Sequence, residues 1–286
     1  MNQPLSSEDS YIYLPPAKSR RIYFERRDLP RIRQNARSTY LAPQLEQWKL
    51  AGSGALGKAW EEYAASGDIL FGMRDFWFQF ERQSILQLIE PEADREKALL
   101  ESIEKVLSLE AWDYILDGDS PIGIMRASQA TQLLLFAREV LDQAISPAFD
   151  DDLLFGVAEK GALPCYRGIY GMDHPERVEG WRNDPNHNPY GTVDMSRWPI
   201  IFSSNNLRAI PTMGVGLGAL ALWGKEERAA EWLQKSETSA QRVLDLFMAD
   251  GAYFEGMSYS NYTLTSLLPF CEAHQRMVNT IDWSQA

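Results

Sequence analysis

The strongest constraint on this chain is a helical period that runs through most of its length. From Arg126 to Ile145, residues Ala130, Leu133, Leu134, Ala137, Val140, Leu141 and Ala144 recur at i, i+3, i+4 and i+7 spacing. That spacing puts them on one apolar face of an amphipathic helix. Leu207–Trp223, then Glu226–Met248 beyond Gly224, and Tyr262 to about Asn279 read the same way. Upstream, Asp28 stands as an N-cap before a helix over Leu29–Lys49 that is interrupted near Pro43. Gly52–Gly57 reads as a loop, and Leu56–Tyr63 and Phe76–Ile89 carry helical spacing. Pro91 opens a further helix that runs to about Leu107. No run alternates with period two between turn signals, so no sheet of any size is expected. Helix after helix with short connections implies antiparallel helical hairpins and an all-α fold.

One interval breaks the pattern. Residues of about 159–204 show little periodicity, and an unstructured loop beyond about 12–15 residues is uncommon. The interval holds Tyr166, Tyr170, Trp181, Tyr190 and Trp198, too many aromatics for a disordered linker. It reads as an ordered excursion that either walls a cleft or packs on its own domain. The organisation is thus an irregular lead-in over 1–25, containing Pro15–Pro16, and one helical domain over 26–286.

Composition narrows the function classes. The net charge of -12 argues against nucleic acid as a partner, since neutralising phosphates needs a basic surface. The basic stretch Lys18, Arg20, Arg21, Arg26, Arg27, Arg31, Arg33, Arg37 reads as the solvated first helix and its lead-in. Ala209–Trp223 is too short and too Gly-rich to cross a membrane. No basic segment followed by an apolar run opens the chain, so no signal peptide is visible. Cys165 and Cys271 make neither a disulfide framework nor a zinc site. The histidines His174, His187 and His274 have no metal-ligand spacing; His274 reads as a packing or surface residue. Gly214-Val-Gly216-Leu-Gly218 lacks the register and the preceding strand of a dinucleotide loop, and reads instead as a closely packed helix.

Two polar segments carry the candidate chemistry. Ser203-Ser204-Asn205-Asn206 precedes an apolar helix, where a single Asn or Ser suffices as N-cap. The second amide is surplus to that task. Asp250–Tyr262 lies between two helices, with Gly251 and Gly256 permitting tight turns around Glu255, Tyr253, Tyr259 and Tyr262. A carboxylate and three phenols are costly to bury without purpose.

At these segments the chain resembles the heparinase II/III-like polysaccharide lyases, a group that includes alginate and heparin lyases. Three places carry the resemblance: Arg21-Ile-Tyr-Phe24 with Asp28-Leu-Pro-Arg-Ile-Arg33; Ser204-Asn-Asn-Leu207 with the helix from Gly214 to Leu222; and Asp250-Gly-Ala-Tyr-Phe-Glu-Gly-Met-Ser-Tyr259. It covers the chain from about residue 20 onward. It implies an incomplete (α/α) toroid of antiparallel helical hairpins, with the family's C-terminal β-sandwich absent from this chain. It also implies β-elimination at a uronic acid within an acidic polysaccharide or oligosaccharide. The C5 proton becomes removable once the neighbouring carboxylate is neutralised by amide or cationic donors. A base then takes the proton, and an acid protonates the departing O4.

Carried over by position, Asn205 and Asn206 would neutralise the carboxylate, and Tyr259 would be the base or acid. Glu255 would orient sugar or the tyrosine loop. Trp181, Tyr190, Tyr262, Arg182 and Arg208 complete the expected substrate-binding set. An unperturbed Tyr titrates near 10, so a basic Tyr259 needs a nearby cation, and Arg182 or Arg208 are the expected suppliers. Many members have His after the Asn; here Leu207 follows. The resemblance implies no metal or other cofactor for the toroid part, leaving room for a structural metal only in the C-terminal region. It implies a periplasmic or secreted protein and leaves the oligomeric state open. Two other classes fit the residues: a hydrolase pairing Glu255 with Asp173, Asp184 or Asp194, and a carbohydrate-binding domain without chemistry.

Overall fold

The helical period is realised as thirteen α-helices in a computed structural model that describes residues 21–38, 41–69, 72–116, 120–178, 181, 196–279 and 281–283. They are α1 Leu29–Ser38, α2 Leu41–Lys49, α3 Gly54–Ser66, α4 Gly72–Ile89, α5 Ala93–Ser108, α6 Arg126–Val140, α7 Pro147–Gly156, α8 Leu163–Asp173, α9 Pro175–Val178, α10 Trp198–Phe202, α11 Ala209–Ala221, α12 Ala229–Leu244 and α13 Met257–Met277. The protein is all-α. Strands β1 Tyr114–Leu116 and β2 Ser120–Ile122 form one antiparallel hairpin, pairing Tyr114 with Ile122.

Helix α11 is the hub. It packs on α6, α8, α12 and α13, and it is buried from Ala209 to Leu220. Its glycines explain how so many neighbours fit. A Cβ at Gly214 would stand 2.8 Å from Cys165 Sγ and from the Ser128 backbone, one at Gly218 would meet the Ala162 methyl at 2.8 Å, and one at Gly216 would overlap the Phe270 ring. The small-residue stripe is a packing device, as its sequence context suggests. Cys165 and Cys271 are both buried free thiols, and burial pushes the Cys271 thiol up to about 12.

Two expectations need correction. The break in the first helical run falls between α1 and α2, and Pro43 sits in the first turn of α2, where a missing N–H costs nothing. More importantly, the long excursion is not a loop from residue 159. The chain continues from α7 through a π-helical segment, Val157–Ala162, into α8. The wider π turn shifts the 3.6-residue register, which hides the helix from a periodicity reading. Gly161, Gly168 and Gly171 hide it further, and each is demanded by packing: against Thr131 and Trp112, against the Gly123 carbonyl, and against the Trp181 indole. Residues 182–195 lie outside the described residues.

Residues 21–25 are irregular, as expected, but firmly held. Glu139 on α6 accepts the N–H groups of Ile22 at 2.5 Å and Tyr23 at 3.1 Å. Arg21 and Arg26 pair with Asp142, and Arg33 donates to the Leu88 carbonyl at 2.9 Å. Part of the basic stretch therefore ties the lead-in to the domain. Among the described residues no helix is long and apolar enough to cross a membrane.

Candidate functional site

Local chemistry positions the two polar segments. Asn205 is extended (φ -140°, ψ -176°), and its Oδ1 accepts the Leu207 N–H at 2.9 Å. It is the N-cap of the short 3-10 turn Asn206–Arg208 that feeds α11. The other segment turns sharply. Gly251 and Gly256 adopt positive φ (81° and 90°), values that side chains disfavour. Phe247 and Tyr253 bridge across the turn, and Gly256 then releases the chain into α13.

Glu255 fastens one segment to the other. Its Oε2 accepts the Asn206 N–H at 2.9 Å and the Tyr253 hydroxyl at 2.9 Å. Burial and this carboxylate push the Tyr253 phenol up to about 12, so it stays a donor at neutral pH. The result is a cavity of about 580 Å³ lined by Met125, Asn205, Asn206, Leu207, Glu255, Ser258, Tyr259 and Tyr262. Residues separated by some fifty positions in the sequence thus line one cavity, Asn205 and Asn206 together with Tyr259 and Tyr262.

The two asparagines are not equivalent. Asn205 spends its oxygen on capping, leaving its Nδ2. Asn206 is only 3% exposed, yet it lines the cavity, and its carboxamide makes no hydrogen bond among the described residues. Tyr259 is 52% exposed on the first turn of α13. Tyr262 stands one turn further on. Burial pushes its phenol up and the Arg126 charge pulls it back, with a net rise that keeps its proton on.

The remaining expected residues lie elsewhere. Arg208, 2% exposed, does not reach the cavity. Its Nε donates to Ser239 Oγ at 3.0 Å, Nη1 to the Ser203 carbonyl at 3.3 Å and Nη2 to Asp173 Oδ1 at 2.5 Å. Asp173 is shared: Lys235 Nζ reaches its other oxygen at 3.2 Å, and Arg242 pairs with it too. Burial raises the Asp173 carboxyl, but Arg208, Arg242 and Lys235 outweigh it and hold the group below its usual range. An acid so thoroughly paired is a poor proton donor. Trp181 is buried in a small core with Tyr114, Ile122, Ile124, Met172 and Phe202; the lining residues Met125 and Leu207 pack against that core, but Trp181 itself does not line the cavity. Arg182, Tyr190, Asp184, His187 and Asp194 lie outside the described residues.

His174 packs on the Tyr170 ring with centroids 4.7 Å apart. His274 is a buried packing residue: Trp283 Nε1 donates to its Nδ1 at 3.0 Å. Its Nε2 lies 2.8 Å from Glu237 Oε1, and with Nδ1 accepting, Nε2 is the donor there.

Sequence reasoning missed the third wall, at the start of α6. Asp113 is buried, and its Oδ2 accepts the N–H groups of Ile124, Met125 and Ala127 at 2.9, 2.8 and 3.0 Å. It caps α6 from outside the helix, which sets Met125 in the cavity wall and Arg126 where its charge acts on Tyr262. An acid more than ten residues before the helix it caps leaves no local signal; only the Met125–Arg126 helix start was visible. No protein-family profile matches the chain, and no curated protein matches it either.

Proposed function

We propose that this protein is a polysaccharide lyase that cleaves a uronic-acid-containing polysaccharide by β-elimination. The carrying observation is the convergence of Asn206, whose carboxamide has no hydrogen-bond partner among the described residues, with Tyr259 and Tyr262 on one cavity. In this reading Asn206, with the Nδ2 of Asn205, neutralises the uronate carboxylate, which acidifies the C5 proton. Tyr259, open to solvent on one side, takes that proton or passes one to the departing O4. The C5 electron pair forms the C4=C5 double bond as the C4–O4 bond breaks, and O4 leaves with a proton. Tyr262 keeps its proton and donates a hydrogen bond into the cavity. Arg126 replaces Arg182 and Arg208 as the cation beside the phenols, its charge acting on Tyr262. Glu255 holds the two walls in register. The helical hairpins would then form an incomplete (α/α) toroid around this cleft, in a secreted or periplasmic enzyme.

Among the described residues Glu255 is the one carboxylate lining the cavity, and hydrolysis calls for two flanking the bond. Incubating the protein with alginate and heparosan tests the reading. The expected product is a 4,5-unsaturated uronide, seen as new ultraviolet absorbance. Reducing ends released without that absorbance would indicate hydrolysis, and binding without turnover would indicate a carbohydrate-binding domain.

A further inference from the structure

Helices α3 and α4 pack side by side and leave a cavity of about 620 Å³ that has no residue in common with the one at Asn206 and Tyr259. The sequence explains the opening. Ala51, Gly54, Ala55 and Ala59 give one wall almost no side chain, and a Cβ at Gly54 would meet nothing within 4 Å. From α4, Asp75, Phe78, Gln79 and Arg82 line the other wall. Their i, i+3, i+4, i+7 spacing puts them on one face of the helix. The opposite face, with Phe76, Trp77 and Phe80, belongs to the core.

Two glutamines one turn apart on α4 differ in their hydrogen bonds. Gln83 uses both ends of its amide: Oε1 accepts from Arg95 Nε at 3.0 Å, and Nε2 donates to the Gly52 carbonyl at 3.0 Å. Gln79 Oε1 is buried in the cavity wall with no donor among the described residues. Buried acceptors without partners are rare, and this one calls for an O–H or N–H. The charges divide in the same way. Lys58 lies 3.8 Å from Glu62, and Asp75 lies 3.2 Å from Arg74. The Arg82 guanidinium lies over the Trp48 ring, 6.0 Å from its centroid, and makes no hydrogen bond or ion pair among the described residues. A planar fork of donors left in that state matches a carboxylate.

We propose that the cavity between α3 and α4 is a second, separate binding site, which takes an acidic sugar. Arg82 receives the carboxylate, Gln79 Oε1 accepts a hydroxyl, and exposed Phe78 meets the C–H face of the ring. The lining disfavours other ligand classes. Lys58 and Arg82 are balanced by Glu62 and Asp75, so a phosphodiester chain finds no basic surface. Both walls are helical and offer no open strand edge to an extended peptide. Alanines with a single phenylalanine make a poor groove for an apolar helix. A ring with one carboxylate and several hydroxyls uses the acceptor, the cation and the flanking carboxylates together. The site does not depend on chemistry at the Asn206 cavity, since a second hold on an acidic glycan serves a lyase, a hydrolase or a binding domain alike.

The test is amide NMR on the full ¹⁵N-labelled chain, titrated at matched ionic strength with D-glucuronate, D-glucose and acetate. The amides of residues 54–62 and 75–82, with the Gln79 side-chain amide, should shift saturably with glucuronate, less with glucose, and hardly at all with acetate. Arg82→Gln should weaken glucuronate binding at these amides about tenfold or more, as the loss of a hydrogen-bonded charge does. Gln79→Leu should weaken it about fivefold, the worth of a neutral hydrogen bond, with the urea midpoint unchanged or raised because the lost acceptor has no partner in the fold. Unmoved amides, equal shifts with acetate, or wild-type affinity in both variants would overturn the site. Tighter binding of N-acetyl-aspartate amide would also overturn it, by making the ligand an acidic peptide. The site and the lyase reading fail separately: unsaturated product with silent α3 and α4 amides refutes the first alone, and saturable shifts without that product refute the second alone.

Discussion

The two sides of the Asn205–Arg208 turn make opposite use of polar groups. On one side, Arg208 is buried against Asp173, and Lys235 and Arg242 add two more cations to the same carboxylate. Every donor has somewhere to go, and the arrangement locks α8, α11 and α12 together. On the other side, Asn206 is as buried as Arg208 but its amide is unpaired, and α13 begins without a cap. Full satisfaction is what a fold needs from a buried polar group. The cavity side instead leaves the Asn206 carboxamide open to whatever enters the cavity. Burial alone did not separate these two sides; the hydrogen-bond accounts did.

Substitutions on the two sides should therefore differ in kind. The largest effect is expected from Tyr259→Phe, which should cut turnover about 10²–10⁴-fold, the range of a positioned proton transfer, while leaving the unfolding midpoint unchanged. Side-by-side kinetics and denaturation check this. Asp173→Asn should do the reverse. Removing the anion from a buried pair costs about 3 kcal/mol or more of stability, read from urea unfolding, with cavity chemistry retained in the molecules that stay folded.

The same carboxylate sets an acid limit. Its folded value lies below its unfolded one, so its contribution is complete above about pH 4 and is lost as pH falls through the folded value. Unfolding free energies measured down that range should fall more steeply for the wild type than for Asp173→Asn. The smallest effect is expected at Glu255→Gln, which keeps an oxygen to accept the Asn206 N–H and should cost about 1 kcal/mol. A larger loss would mean that the Glu255 charge, not its geometry, joins the two segments.

Much of this architecture was legible in the sequence. The amphipathic spacing announces α6, the glycine stripe announces the close packing of α11, and the two polar segments announce the cavity walls. What stayed hidden was non-local or off-register. The π turn at Val157–Ala162 erased the period that would have revealed α8. Asp113 caps a helix it does not belong to. Arg208 looked like a cation for the site because it follows Asn206, yet the turn that aims Asn206 at the cavity sends Arg208 to Asp173. Trp181 looked like a sugar platform, and it is core. Adjacent residues on a turn diverge, and composition cannot say which way each one points.

The most direct test is the turnover of Asn206→Leu beside the wild type on the polyuronates of the proposed lyase activity, normalised to folded protein. Removing an amide that makes no hydrogen bond within the fold should leave stability within about 1 kcal/mol of wild type. On the proposed role of this amide in neutralising the carboxylate, turnover should fall about 10²-fold or more. Wild-type turnover in a stably folded Asn206→Leu would contradict the assignment of this cavity as the site of chemistry.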